Sequence, residues 1–131
     1  MKKQDEYALQ VQVCTFLKYQ YPGVRFLSDT VANLKLTIGQ QLRNKKIQCP
    51  GFKCMDVLIL EPVGKYCGLF IELKIETPFK KNGEIKASQD DHLKKQYESI
   101  KLMNEKGYYA CFSWTLDMTI EIINKYMKNN L

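Results

Sequence analysis

Three residues of this 131-residue chain have the types and spacing to do chemistry together: Asp56, Glu72 and Lys74. Glu72 and Lys74 lie in Leu69-Phe70-Ile71-Glu72-Leu73-Lys74-Ile75. Period-two alternation puts Leu69, Ile71, Leu73 and Ile75 on one face of a strand and Phe70, Glu72 and Lys74 on the other. Burying either charge alone is costly, so the pair needs each other, a metal or the solvent of a cleft. That strand alone fits a structural salt bridge as well as a reactive pair. Asp56 shifts the balance, because in Met55-Asp56-Val57-Leu58-Ile59-Leu60 it is a second acid at the start of an apolar strand. In a hairpin turning near Val63, Asp56 and Glu72 fall at comparable heights. Two converging carboxylates make an oxygen-rich site for a hard divalent cation, Mg²⁺ or Mn²⁺, with Lys74 beside it. Phosphodiester hydrolysis asks for such a set: a metal to activate water and neutralise phosphoryl oxygens, and a cation for charge that develops in the transition state.

The elements that must position these groups can be read from periodicity. Residues 5–20 place Leu9, Val13, Phe16 and Leu17 three and four apart, an amphipathic helix closed by Tyr21-Pro22-Gly23, with Glu6 on the same stripe one turn before Leu9. Residues 24–27 read as a short strand. Residues 28–54 form a long connection, with a possible short helix at 38–45, and connections of that length are often functional. Residues 55–60 and 69–75 are β-branched strands joined through Pro62-Val63-Gly64-Lys65, most simply as an antiparallel hairpin. A polar loop at 77–86 leads to a helix that Ser88 would cap and that runs to about Glu105, with the stripe Leu93, Tyr97, Ile100 and Met103 and Gly107 as its stop. A strand at 108–113 and an amphipathic helix at 116–127, with Ile120, Ile123 and Tyr126 inward, complete the order α-β-β-β-α-β-α. No repeat, low-complexity tract or linker divides the chain, so residues 1–131 read as one domain.

In this order the pieces resemble the PD-(D/E)XK nucleases and, within them, the VRR-NUC (virus-type replication-repair nuclease) branch. The matching segments are the early helix with Glu6, then Pro50-Gly51-Phe52-Lys53-Cys54-Met55-Asp56-Val57, then Phe70-Ile71-Glu72-Leu73-Lys74, then a helix carrying Gln96 eleven residues before Gly107. Glu72-x-Lys74 alone is a weak motif, and the ordered set is far more specific. Met55 departs from the pattern, standing where many members have proline before the aspartate. The resemblance implies an α/β, restriction-endonuclease-like core, a central mixed sheet flanked by helices. It also implies metal binding by Asp56, Glu72 and the Leu73 backbone carbonyl, with Lys74 orienting water or stabilising the phosphorane. Glu6 would act through water or a second metal, and Gln96 would brace the site or the scissile phosphate. The expected activity is Mg²⁺- or Mn²⁺-dependent cleavage of DNA, branched DNA such as Holliday junctions above all, by a homodimer with DNA-repair or phage-like roles. A non-catalytic nucleic-acid-binding module and a nuclease of ordinary duplex are the alternatives.

Gln96 independently falls between Leu93 and Ile100 on the buried stripe, where a satisfied core amide would serve as well, and Gln89 competes from the same stripe two turns earlier. Glu6 also fits an ordinary first-turn acid favoured by the helix dipole. Arg43, Lys45, Lys46 and Lys53 precede Asp56 and read either as a phosphate-contacting lip or as a solubilising loop. His92, the only histidine, sits in the charged stretch Asp90-Asp91-His92-Leu93-Lys94-Lys95, most simply a solvated face. Cys49 and Cys54 lack the spacing and partners of a zinc site. No Gly-rich phosphate loop or Ser/His/Asp arrangement is present.

Composition sets the outer limits. With 45% hydrophobic and 26% charged residues the chain should fold. No apolar run reaches the roughly 18 residues of a membrane span, and the N-terminus is too polar for a signal peptide, which points to a cytoplasmic protein without a membrane partner. The odd count of five cysteines suits free, buried thiols in a reducing compartment. A net charge of +6 attracts polyanions, although charge alone is weak grounds for nucleic-acid binding.

Overall fold

The computed structural model describes residues 2–29, 34–86 and 91–131, with side chains from Asp5 onward. The first helix, α1 (Lys2–Gln20), turns Leu9, Val13 and Leu17 inward. Strand β1 (Phe26–Ser28) follows, and helix α2 (Ile38–Ile47) occupies the long connection. Strands β2 (Val57–Ile59) and β3 (Leu69–Leu73) form the expected antiparallel hairpin. Its tip pairs Val63 with Tyr66 around Gly64, whose φ of +58° suits a residue without Cβ. Then come α3 (Asp91–Glu105), β4 (Tyr109–Ser113) and α4 (Leu116–Met127). Ser88, the expected cap of α3, lies outside the described residues, as does Gln89.

The sheet order is β1-β2-β3-β4, with β1, β2 and β3 antiparallel and β4 parallel to β3. This is the mixed, helix-flanked sheet expected. The observed order, α-β-α-β-β-α-β-α, differs from the expected string by the full formation of α2. Alternation along β3 divides the core in two. Leu69, Ile71 and Leu73 join α1 and α4 on one face, through Val13, Leu17, Ile123 and Tyr126. Phe70 packs on the other face with Ile100 of α3 and Ala110 and Phe112 of β4. The Asn104 side chain ties α3 to β4 by bonding both Ala110 N (2.8 Å) and Ala110 O (2.9 Å).

Two expectations need correction. The strands are shorter than the apolar runs suggest, so Met55, Asp56 and Lys74 lie just beyond the ladder ends. The cysteines are free, but Cys49, Cys54 and Cys67 are exposed and Cys14 and Cys111 half-buried. The first three sit in connections, the α2–β2 segment and the hairpin turn, and these run over the surface. Among the described residues no helix is long and apolar enough to cross a membrane.

Candidate active site

The register of the sheet brings the acids together. Ser28 pairs with Val57, and Val57 with Ile71. One residue further along each strand, Asp29 stands opposite Asp56 and Asp56 opposite Glu72. By alternation all three face the α3 side, because Leu58 and Phe70, two residues from Asp56 and Glu72, pack in the cluster built on α3. Asp56 caps the end of the ladder by accepting from Leu73 N (2.8 Å) at Oδ2. An extended residue sends its N–H and C=O toward the same neighbour, so the Leu73 carbonyl is directed to the Asp56 side as well.

Glu72 is 5% exposed and Gln96 7%, too buried for either polar group to go unpaired without cost. Gln96 resolves this as a hub. Lys74 Nζ can only donate, so the Gln96 atom 2.7 Å from it is the carbonyl Oε1. The amide nitrogen then donates to Glu72 Oε2 (3.1 Å) and also meets His92 Nε2 at 3.1 Å. An amide nitrogen does not accept, so His92 Nε2 is the unprotonated ring nitrogen in this contact. The His92 side chain therefore reaches the site although its residue is exposed, which corrects its reading as a purely solvated position. Lys74 N also bonds Ser113 O (2.8 Å), fixing the strand where it leaves the sheet.

The electrostatics record this crowding. Burial, then Asp56 beside it, pushes the Glu72 carboxyl well above the ordinary carboxylate range, with Lys74 pulling the other way. Burial also raises Asp56, against the hydrogen bonds from Glu72 and Leu73 and the nearby Lys74. Cys54 is exposed as a residue, but partial enclosure of its sulfur, with Asp29, Glu72 and Asp56 nearby, pushes its thiol up and keeps it neutral. Two crowded carboxyls thus resist ionising together, with Lys74 pulling against the rise at both. A divalent cation beside them would favour the ionised form of both.

The donor set fits such an ion. Among the described residues no group of three or more His, Cys, Asp or Glu side chains gathers to hold a metal. The available set is therefore Asp56, Glu72, the Leu73 carbonyl and solvent. Mg²⁺ commonly takes one or two carboxylates and keeps several waters or phosphate oxygens.

Asp56, Glu72, Lys74 and Gln96 form part of the floor of a cleft of about 1040 Å³, about the upper limit of the ~300–1,000 Å³ typical of small-ligand pockets. Glu6 lines it, and its charge adds to the rise at Glu72. Because α1 starts at Lys2, Glu6 lies beyond the first turn, so the dipole explanation of its presence loses force. Lys45 and Lys53 also line the cleft. Arg43 and Lys46 do not: they border a second, adjoining concavity with Gln40 and Ile47, which shares Leu36 and Asn44 with the cleft.

Two residues of the cleft escaped sequence reading. Gln10, 8% exposed, donates from Nε2 to the main-chain oxygens of both Asp29 and Asp56 (3.2 Å each), clamping the ends of β1 and β2 from α1. Its signal was a polar residue next to Leu9, one turn after Glu6. Asp29 gave none, because its place depends on the register of a three-residue strand.

No protein-family model matches this sequence, and neither does any curated protein. The fold, in contrast, is shared with the solved structure of a VRR_NUC domain protein. The TM-score is 0.61 at 23% identity, over 94% of this chain and 88% of that one. The chain thus shares the α/β fold of that VRR_NUC domain protein.

Proposed function

We propose that this protein is a VRR-NUC-type, metal-dependent DNA endonuclease that hydrolyses phosphodiester bonds. The observation that carries the reading is the array Asp56–Glu72–Gln96–Lys74, its Glu72 and Gln96 buried and its Asp56 and Lys74 half-buried, gathered by strand register at the floor of a cleft in this fold. Asp56, Glu72 and the Leu73 carbonyl would hold Mg²⁺ or Mn²⁺. The ion supplies an activated water and neutralises phosphoryl oxygens when bound. Lys74 keeps its ammonium aimed into the cleft through Gln96 Oε1 and meets charge that develops on the phosphorane. Gln96 orients Lys74 and Glu72 together. Glu6 contributes from α1 through solvent. Lys45 and Lys53 contact flanking phosphates.

Branched DNA, Holliday junctions in particular, is the proposed substrate. A homodimer would present two such sites to two strands.

The test is a cleavage panel of four-way junction, flap, single strand and linear duplex with Mg²⁺, Mn²⁺ or EDTA, comparing wild type with Lys74→Ala. Junction cutting that needs metal and falls about 10²–10³-fold in the variant is expected. Cutting that survives EDTA, or is indifferent to Lys74, sinks this mechanism.

A further inference from the structure

Helix α2 presents a problem that the fold does not solve. None of its residues is buried, and Ile38 and Ile47 are 78% and 81% exposed. A helix of this length gains little from propensity alone and is marginal in water without packing. Yet its start is specified in detail. Thr37 Oγ1 accepts from Gln40 N (3.2 Å) while Gln40 Oε1 accepts from Thr37 N (2.9 Å), a reciprocal capping box. Lys45 and Lys46 complement the dipole in the last turn. The helix is specified locally while contributing nothing to the core.

Its cleft side has a consistent chemistry. Gln41, Asn44, Lys45 and Gln48 fall at spacings of three, four and seven, the period of one helical face, and all four line the cleft that holds Asp56, Glu72 and Lys74. Three of them carry a carboxamide, which donates and accepts without a formal charge. Gln48 Nε2 donates to Asn44 Oδ1 (3.0 Å). Among the described residues, this leaves the Asn44 amide nitrogen as donor and the Gln48 carbonyl as acceptor for an incoming group. Gln41 is tied by its nitrogen to Leu36 O (3.2 Å), with its carbonyl oxygen left over. Leu36 and Phe52 add apolar surface to the same cleft. The helix carries Arg43, Lys45 and Lys46 and no acid, so it favours an anionic occupant and disfavours a second copy of itself.

We infer that this face of α2 holds the DNA strand flanking the cut phosphate and reads its base edges, through the amides of Gln41, Asn44 and Gln48, while Lys45 holds its backbone. The Asn44 amide nitrogen and the Gln48 carbonyl, left over from their mutual hydrogen bond, together offer the donor and acceptor that an adenine edge takes, whereas Lys matches phosphate without regard to sequence. The inference rests on the nuclease reading for the identity of the occupant and adds a sequence preference to it. An occupant in contact with α2 also supplies the packing that the helix lacks.

The experiment uses a pool of short DNA strands of randomised sequence with the full chain in Ca²⁺ buffer. It measures affinity, the base composition of the retained strands, and hydrogen exchange over residues 38–47. Wild type is expected to retain a biased pool and to gain protection across α2. Gln41→Ala/Asn44→Ala/Gln48→Ala is expected to lose the bias and about ten-fold or more in affinity. Alanine is the better helix former at positions 41 and 44, and Gln48 is the extended cap beyond the last helical residue, so this triple variant keeps α2. Lys45→Ala should weaken binding evenly across sequences and flatten its salt dependence. An unbiased wild-type pool, an unchanged bias in the triple variant, or failure of wild type to bind the pool overturns the inference. The nuclease reading is scored separately, by whether the same pool and a four-way junction are cut when Mg²⁺ replaces Ca²⁺. Cutting without bias keeps the enzyme and removes the reading helix. Bias without cutting does the reverse.

Discussion

The floor of the cleft and its α2 wall meet the same space by opposite means. On the floor, each functional group is held by strand register and by its neighbours. Asp56 caps Leu73, Gln96 joins Lys74 to Glu72, and Gln10 clamps the strand ends from α1. The wall is a capped helix with no buried residue. The difference separates precision from reach. Chemistry at a phosphorus centre needs atoms fixed to a fraction of an ångström, which a sheet end packed on both faces can supply. Holding a strand of varied sequence needs a surface that can be populated with polar groups at no cost to the core.

Substitutions on the two sides should therefore separate activity from stability in opposite directions. The largest effect is expected from Asp56→Asn or Glu72→Gln, which should abolish detectable metal-dependent cleavage, measured in single turnover. The same variants should melt higher than wild type without metal at pH 7.5, by about 1 kcal/mol of added stability, the usual yield from relieving a functional site. The sign follows from the raised carboxyl groups. With folded pKa values above unfolded ones, the protonated pair contributes stability that is fully present below pH ~4. That contribution is lost as pH rises through the folded values. A lower melting temperature for both variants would mean that the acids are structural, and would erase the contrast. By the same linkage, Mn²⁺ titrated calorimetrically should bind more weakly as pH falls, and from a higher pH than ordinary carboxylates would give, because metal and proton compete for one pair.

A smaller effect is expected at the hub. Gln96→Ala should cost about 10–100-fold in cleavage rate, in the range seen when a partner that orients a metal ligand or its neighbours is removed. His92→Ala should cost less, because Lys74 and Glu72 retain Gln96 between them. If His92→Ala proves as damaging as Gln96→Ala, the ring does more than fix the amide. Gln10→Ala should lower stability by ~1 kcal/mol, the ordinary worth of a hydrogen bond, and denaturant unfolding would record it. The smallest effect on stability belongs to the wall. Lys45→Ala should leave the melting curve within about ±0.5 kcal/mol of wild type, as surface substitutions do.

The same contrast explains what could be read from the sequence. Asp56 and Glu72 were legible because alternation and a short hairpin fix their relative height without knowledge of the rest of the fold. Gln96 was legible as a polar residue on an apolar stripe. Gln10 was hidden because its partners are main-chain oxygens of two other strands, which leave no mark in the amino-acid code. Asp29 was hidden because a three-residue strand carries too little alternation to set a register. His92 was obscured by the charged residues around it, whose pattern describes solvent rather than the contact its ring makes with Gln96. The start of α2 was readable in principle, since Thr37-x-x-Gln40 has the form of a capping box, but the polar run after it lacks the apolar stripe by which helices are usually found. The lip of Arg43, Lys45, Lys46 and Lys53 was divided by helical geometry, which sends adjacent basic residues to different concavities.

The detachment of α2 from the core bears on how such a protein can change over generations. A substitution at Gln41 or Gln48 disturbs no packing and spends none of the narrow stability margin on which every domain depends. Variants of the helix can therefore accumulate and be selected for what they hold, while the sheet and its acids stay as they are. Descendants of one chain could diverge in target before they diverge in chemistry.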